Sequence, residues 1–209
     1  TSTDTVGVAI PGSSFGISGV FAGLTPLPDG TGVQYQTTIG MTGFGNAEIT
    51  NPNDLLSVCL DIEHSYIGDL EIALTCPNGT TVSLVNANSL AGGLIPGGCS
   101  NGITESLGND TNLDGGAPGT PVQTYCFSEA LPNVGSICTN ALANTNIVTN
   151  AYGFSAMDAS VIYAPDGSFS DFIGCPLSGA WTITVQDNQG VDDGYIFQWG
   201  IAFDAALYP

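Results

Sequence analysis

Apolar and polar residues alternate with period two over much of this chain, and helical periodicity is hard to find anywhere in it. Trp181, Ile183 and Val185 alternate with Thr182, Thr184 and Gln186, while Tyr195, Phe197, Trp199, Ile201 and Phe203 line one face of a final strand. Asp187 to Gly194 lies between them as a short acidic turn, so the end of the chain reads as a hairpin with an aromatic face. Val58 to His64 and Leu70 to Cys76 flank Ser65-Tyr66-Ile67-Gly68 and read as a second hairpin. Pro77-Asn78-Gly79 signals a turn, followed by a strand from Thr81 to Val85. Val33 to Thr42 and Tyr125 to Phe127 supply further strand patterns. Two stretches resist assignment: Ala91 to Thr120, which holds nine glycines, and the Asn- and Ala-rich run from Cys138 to Ser160.

Residues 1–29 differ from the rest. Val6, Val8 and Ile10 alternate like a strand, and the segment through Phe15, Ile17, Val20 and Phe21 is apolar, glycine-rich and almost uncharged. An edge strand of the chain's own sheet would look like this. So would an arm that adds a strand to a neighbouring copy. The expectation taken forward is a two-part chain, with the arm at 1–29 and the domain proper at 30–209. A start at Thr1, without methionine, is expected of a processed protein, and no apolar run is long enough for a membrane-spanning helix.

Composition sharpens this picture. Of 209 residues none is lysine or arginine, against 19 aspartates and glutamates and a single histidine, for a formal net charge of −19. Such a chain has no basic patch for nucleic acid or anionic lipid, and no cationic clamp for phosphate. Its carboxylates repel one another in the compact state, and divalent cations are the natural neutraliser, calcium above all. Glycine at 29 positions and proline at 12 suit many short strands joined by tight turns. The six cysteines, Cys59, Cys76, Cys99, Cys126, Cys138 and Cys175, lack zinc-site spacing and predict up to three disulfides in an oxidising compartment. Fifteen pairings are open. Alternation argues against Cys59 with Cys76, because Val58, Leu60 and Ile62 leave Cys59 on the opposite face of its strand.

Two groups of acids are candidate calcium ligands. Asp110-Thr111-Asn112-Leu113-Asp114-Gly115 sets oxygen ligands at alternate positions before a turning glycine. Position twelve of that loop is Pro121 rather than glutamate, so it is no EF-hand. Asp69, Asp187, Asp192 and Asp193 each end or interrupt a strand and form a second group, against the default that aspartate simply favours turns. His64 stands beside Glu63 and Ser65, which supply the letters of a catalytic triad. Neighbours on one strand point to opposite faces and cannot converge, so a buried structural histidine is expected and no catalytic residue is assigned.

The runs His64-Ser65-Tyr66-Ile67-Gly68-Asp69-Leu70-Glu71-Ile72-Ala73-Leu74 and Cys76-Pro77-Asn78-Gly79-Thr80 resemble the first signature of the proprotein convertase P-domain. Gly179 to Asp187, then Asp193 to Ile201, resembles its closing signature. The version with these cysteines and the ending Leu207-Tyr208-Pro209 is similar to secreted proteins of the Bacteroidetes. Asp4-Thr5-Val6 resembles the short O-glycosylation signal of that group, which would place a glycan on Thr5. The resemblance implies an all-β, antiparallel jelly-roll β-sandwich that is not itself catalytic. The expected protein is thus a secreted, non-enzymatic, calcium- and disulfide-stabilised subunit of an extracellular filament, its partners being copies of itself. The alternative is an accessory or adhesive module of a larger secreted protein or protease, a carbohydrate binder being one form of it.

Overall fold

The computed structural model describes residues 17–30, 32–88, 93–99, 102–110 and 117–208. Val6, Val8, Ile10, Phe15, the Thr5 site, Asn112 and Asp114 lie outside the described residues. The strands are β1 (Ile17–Pro26), β2 (Gln34–Met41), β3 (Leu55–His64), β4 (Leu70–Thr75), β5 (Thr81–Asn86) and β6 (Thr124–Phe127). They continue with β7 (Ile147–Thr149), β8 (Ser155–Met157), β9 (Ile162–Tyr163), β10 (Gly179–Asp187) and β11 (Gly194–Phe203). A short α-helix, α1 (Ile137–Ala143), interrupts the series. One sheet runs β1-β11-β3-β6-β9, the other β2-β10-β4-β5, and β7 pairs with β8 in a separate hairpin. Among the described strands every strand-to-strand pairing is antiparallel except β6 with β9.

The two large sheets face each other as a β-sandwich, the class that the period-two pattern predicts. Trp181 of β10 meets Phe203 of β11 with ring centroids 5.2 Å apart, and Phe172 and Phe44 extend this aromatic contact to either side. Both tryptophans are fully buried, and each indole N–H finds an acceptor, Leu177 O at 3.2 Å and Thr37 Oγ1 at 2.7 Å. That satisfies the polar end of a large apolar side chain inside the core.

Both expected hairpins are corrected. β3 pairs with β11 and β6 while β4 pairs with β10 and β5, so the link at 65–69 is a corner between sheets. β10 and β11 are likewise split between the sheets, and 188–193 forms a second corner. Each strand has one strongly apolar face, and crossing to the facing sheet buries those faces against each other, which a flat two-stranded ribbon cannot do. The aromatic stripe of β11 is also corrected. A register shift between Ile196 and Gln198 inverts the alternation, so Ile196, Trp199, Ile201 and Phe203 are buried and Tyr195 and Phe197 are only partly covered.

Over its second half the N-terminal segment takes the alternative of an edge strand of the chain's own sheet. Ile17, Val20 and Phe21 belong to β1, whose backbone pairs with β11 of the same chain from Ile17 opposite Phe203 to Pro26 opposite Tyr195. The backbone N–H and C=O groups of β11 need partners on both sides, and β1 supplies them. Cysteine pairing resolves as Cys59–Cys126, Cys76–Cys175 and Cys99–Cys138. Cys59 and Cys126 sit directly opposite on β3 and β6, on the face that alternation assigns to Cys59. Three disulfides belong to an oxidising compartment. No described helix is long and apolar enough to cross a membrane.

Candidate functional site

Both corners lie at one end of the sandwich and are stitched together. Ser65 N–H donates to the Asp193 carbonyl at 3.0 Å, and Asp193 N–H donates to Ser65 Oγ at 3.1 Å. Asn188 donates to the Asp69 carbonyl from its backbone at 3.1 Å and its side chain at 2.8 Å. Gly194 stands opposite His64, where a Cβ would come within 2.6 Å of the Glu63 carbonyl and 2.7 Å of the His64 ring. Glycine is therefore what lets β11 begin this close to β3.

His64 is completely buried. Its Nδ1 accepts the Tyr66 N–H at 3.2 Å and its Nε2 lies 3.2 Å from Asp187 Oδ2. Asp187 Oδ1 accepts the Gln189 N–H at 3.1 Å, so this carboxylate pins both the histidine and the second corner. Burial disfavours the imidazolium, but Asp187, Asp110 and Asp192 favour it, and the net displacement of the histidine pKa is upward. Ser65 Oγ is turned to Asp192 and the Asp193 carbonyl, each at 3.3 Å. Histidine, serine and acid are thus spent on separate structural bonds, not aligned as a nucleophile and its base.

Of the second acidic group, Asp69 lies within electrostatic reach of Asp187 and Asp192. Burial, then repulsion from Asp187 and Asp192, raises the Asp69 carboxyl to about 7, with His64 pulling weakly the other way. Asp110 and Asp193 instead face Glu63, a residue the sequence reading passed over as a neighbour of His64. Glu63 accepts the Gly119 N–H with both oxygens at 2.9 Å, yet burial and the charges of Asp110 and Asp193 still lift it to about 7. Glu71 was also missed. It is fully buried, and it accepts the Leu94 and Ile95 N–H groups at 2.6 and 2.8 Å and Asn188 Nδ2 at 2.9 Å. A glutamate on the polar side of an alternating strand gives no hint that a distant loop will fold over it. Among the described residues no three His, Cys, Asp or Glu side chains form a ready metal-ligand set.

Residues 54–93 match the family model of the proprotein convertase P-domain, a span that begins just before β3 and runs past β5. It contains the first signature and the first corner; the closing signature lies outside it. No curated protein matches the sequence. Among solved structures, the serine protease of Aeromonas sobria is 12 % identical with a TM-score of 0.29, covering 88 % of this chain and 27 % of that one. The complex of the Aeromonas sobria serine protease (ASP) with the chaperone ORF2 gives 14 % identity, 88 % and 28 % coverage, and the same TM-score of 0.29. The chain spans little more than a quarter of those proteases. The class defined at this point is a disulfide-bonded β-sandwich. Its first corner region is similar to the convertase P-domain.

Proposed function

We propose that this chain is a non-enzymatic, secreted structural module of P-domain type, serving as an accessory or adhesive part of a larger extracellular protein. The observation that carries the reading is the use made of the reactive residues. His64, Glu63, Glu71 and Asp187 are all buried, and each is bonded to a backbone N–H or to another side chain across the two corners. They hold loops rather than face a substrate. The test is to compare His64→Gln with the parent chain for hydrolysis of peptide and glycan pools. Any turnover by the parent that the variant abolishes overturns the reading.

Self-assembly is a second reading, favoured by the edges of the sandwich. Among the described residues β1 and β2 each form one edge of their sheets, opposite the β9 and β5 edges; both are free of charged residues, and exposed Leu24 and Val33 lie at or beside them. Strands of that kind are templates for pairing with a second copy. Electron microscopy of the purified chain distinguishes the readings: filaments support assembly, and discrete particles at high concentration remove it. Calcium is proposed on the same footing. Asp69 and Glu63 hold protons near neutrality where a divalent ion could replace them, and ion binding would draw the Asp69, Asp187 and Asp192 carboxylates inward.

A further inference from the structure

Two long stretches of this chain carry no charge, Ile72 to Thr104 and Ala130 to Met157, and the second ends in an exposed aromatic turn. Between Glu129 and Asp158 lie 28 consecutive residues without a charge, in a chain of net charge −19, and they include five asparagines, three threonines and two serines. This stretch holds α1 and the β7–β8 hairpin. At the hairpin tip Tyr152 is 46 % exposed and Phe154 38 %. Exposed rings on a loose loop would mean little. Here the turn is tied at every step. Asn150 Oδ1 accepts the Tyr152 and Phe154 N–H groups, both at 3.0 Å, and Asn109 Oδ1 accepts the Ala151 N–H at 2.9 Å. Asn150 Nδ2 then donates to the Asp110 carbonyl at 2.9 Å, fastening the tip to the body of the sandwich.

We infer that this hairpin tip binds neutral carbohydrate, with Tyr152 and Phe154 as the stacking platform. The inference deepens the adhesive reading above and rests on it. Sugars combine an apolar C–H face with a rim of hydroxyls, which suits aromatic rings set among amide and hydroxyl side chains. Anionic glycans, phosphates and nucleic acid are excluded by a chain without lysine or arginine. Cationic partners would be drawn to the carboxylates elsewhere rather than to an uncharged stretch. A protein partner is disfavoured by size. Two half-exposed rings on a five-residue turn offer far less than the roughly 800 Å² per side of a standard protein interface. Preorganisation also matters: a turn fixed before binding loses little further entropy when the ligand arrives.

The experiment is affinity electrophoresis of the 209-residue chain through gels containing mannan, xylan, laminarin or hydroxyethyl cellulose, with heparin as the anionic control. Retardation by at least one neutral polysaccharide and none by heparin is expected. Tyr152→Ala with Phe154→Ala should weaken that retardation about tenfold or more, equivalent to 1.4 kcal/mol. Tyr152→Phe should preserve it, and so should Ile173→Ala, which alters an exposed apolar residue on another segment. Thermal melting of each variant separates lost binding from lost folding. Absence of retardation in all four gels, or retardation unchanged in the double variant, overturns the proposal. Loss of retardation accompanied only by a change in oligomeric state on gel filtration overturns it as well. Reducing ends are assayed alongside: their release would sink the non-enzymatic reading while leaving sugar binding in place.

Discussion

Glu63 and Asp69 make the stability of this molecule depend on pH in an unusual direction. Their ordinary values of 4.5 and 3.8 rise to about 7 in the folded chain, so folding takes up protons. A folded-state pKa above the unfolded one gives stability that is complete below about pH 4 and is lost as pH rises through about 7. From these two groups the chain should unfold more readily at pH 8 than at pH 5, by on the order of 2 kcal/mol once relaxation of the corners is allowed. Asp69→Asn keeps a donor for Asp192 and removes the charge. It should raise stability at pH 8 by about 1–2 kcal/mol and change it little at pH 5. Equal effects at both values, measured by urea unfolding, would refute the assignment. Glu71→Ala should act differently, leaving Leu94, Ile95 and Asn188 donors without their acceptor. A loss of about 3 kcal/mol is expected at either pH. Faster amide exchange at residues 94 and 95 would confirm the cause.

At the scale of elements, the corners and the disulfides decide how the irregular stretches are held. Cys99–Cys138 joins the loop after β5 to α1, and the Cys99 N–H donates to the Asn86 carbonyl at 2.9 Å. Replacing both cysteines by serine should cost about 2–4 kcal/mol. Limited proteolysis should then cut within 93–99 well before global unfolding; unchanged cleavage would show that Glu71 alone secures that loop. Strand positions were legible beforehand because period-two alternation survives at β3, β4, β5 and β10. Their partners were not. A short polar link such as 65–69 is compatible with a hairpin or a corner, and long-range pairing with β11 chose the corner. The inverted stripe of β11 was illegible for a related reason: a bulge adds a residue without leaving a mark in the pattern of residue types.

For the molecule as a whole, the missing cations remain the dominant fact. With no lysine or arginine, the His64–Asp187 contact is the ion pair that the described residues offer, and it is buried. Surface carboxylates are left to water and counterions, so salt should stabilise this chain by screening. If calcium binds the folded state, millimolar calcium should raise the melting temperature and a chelator should lower it. The shift should be larger at pH 8 than at pH 5, since protons on Glu63 and Asp69 compete with the ion. A melting temperature indifferent to both additions would leave the carboxylates as purely structural groups.

Read alone, the chain determined its class and its chemistry. Alternation demands buried sheet faces, paired cysteines demand an oxidising setting, and the absence of lysine and arginine leaves no permanently cationic side chain to meet an anionic partner. These are properties of composition and local order, which need no knowledge of distant neighbours. Three-dimensional packing decided the rest: that β1 joins its own sheet, that Glu63 meets Asp110 and Asp193, that Glu71 captures a loop, and that Cys59 pairs with Cys126. Each of those contacts spans tens of residues or more, and which distant segment arrives is set by how the two sheets bury their apolar faces together.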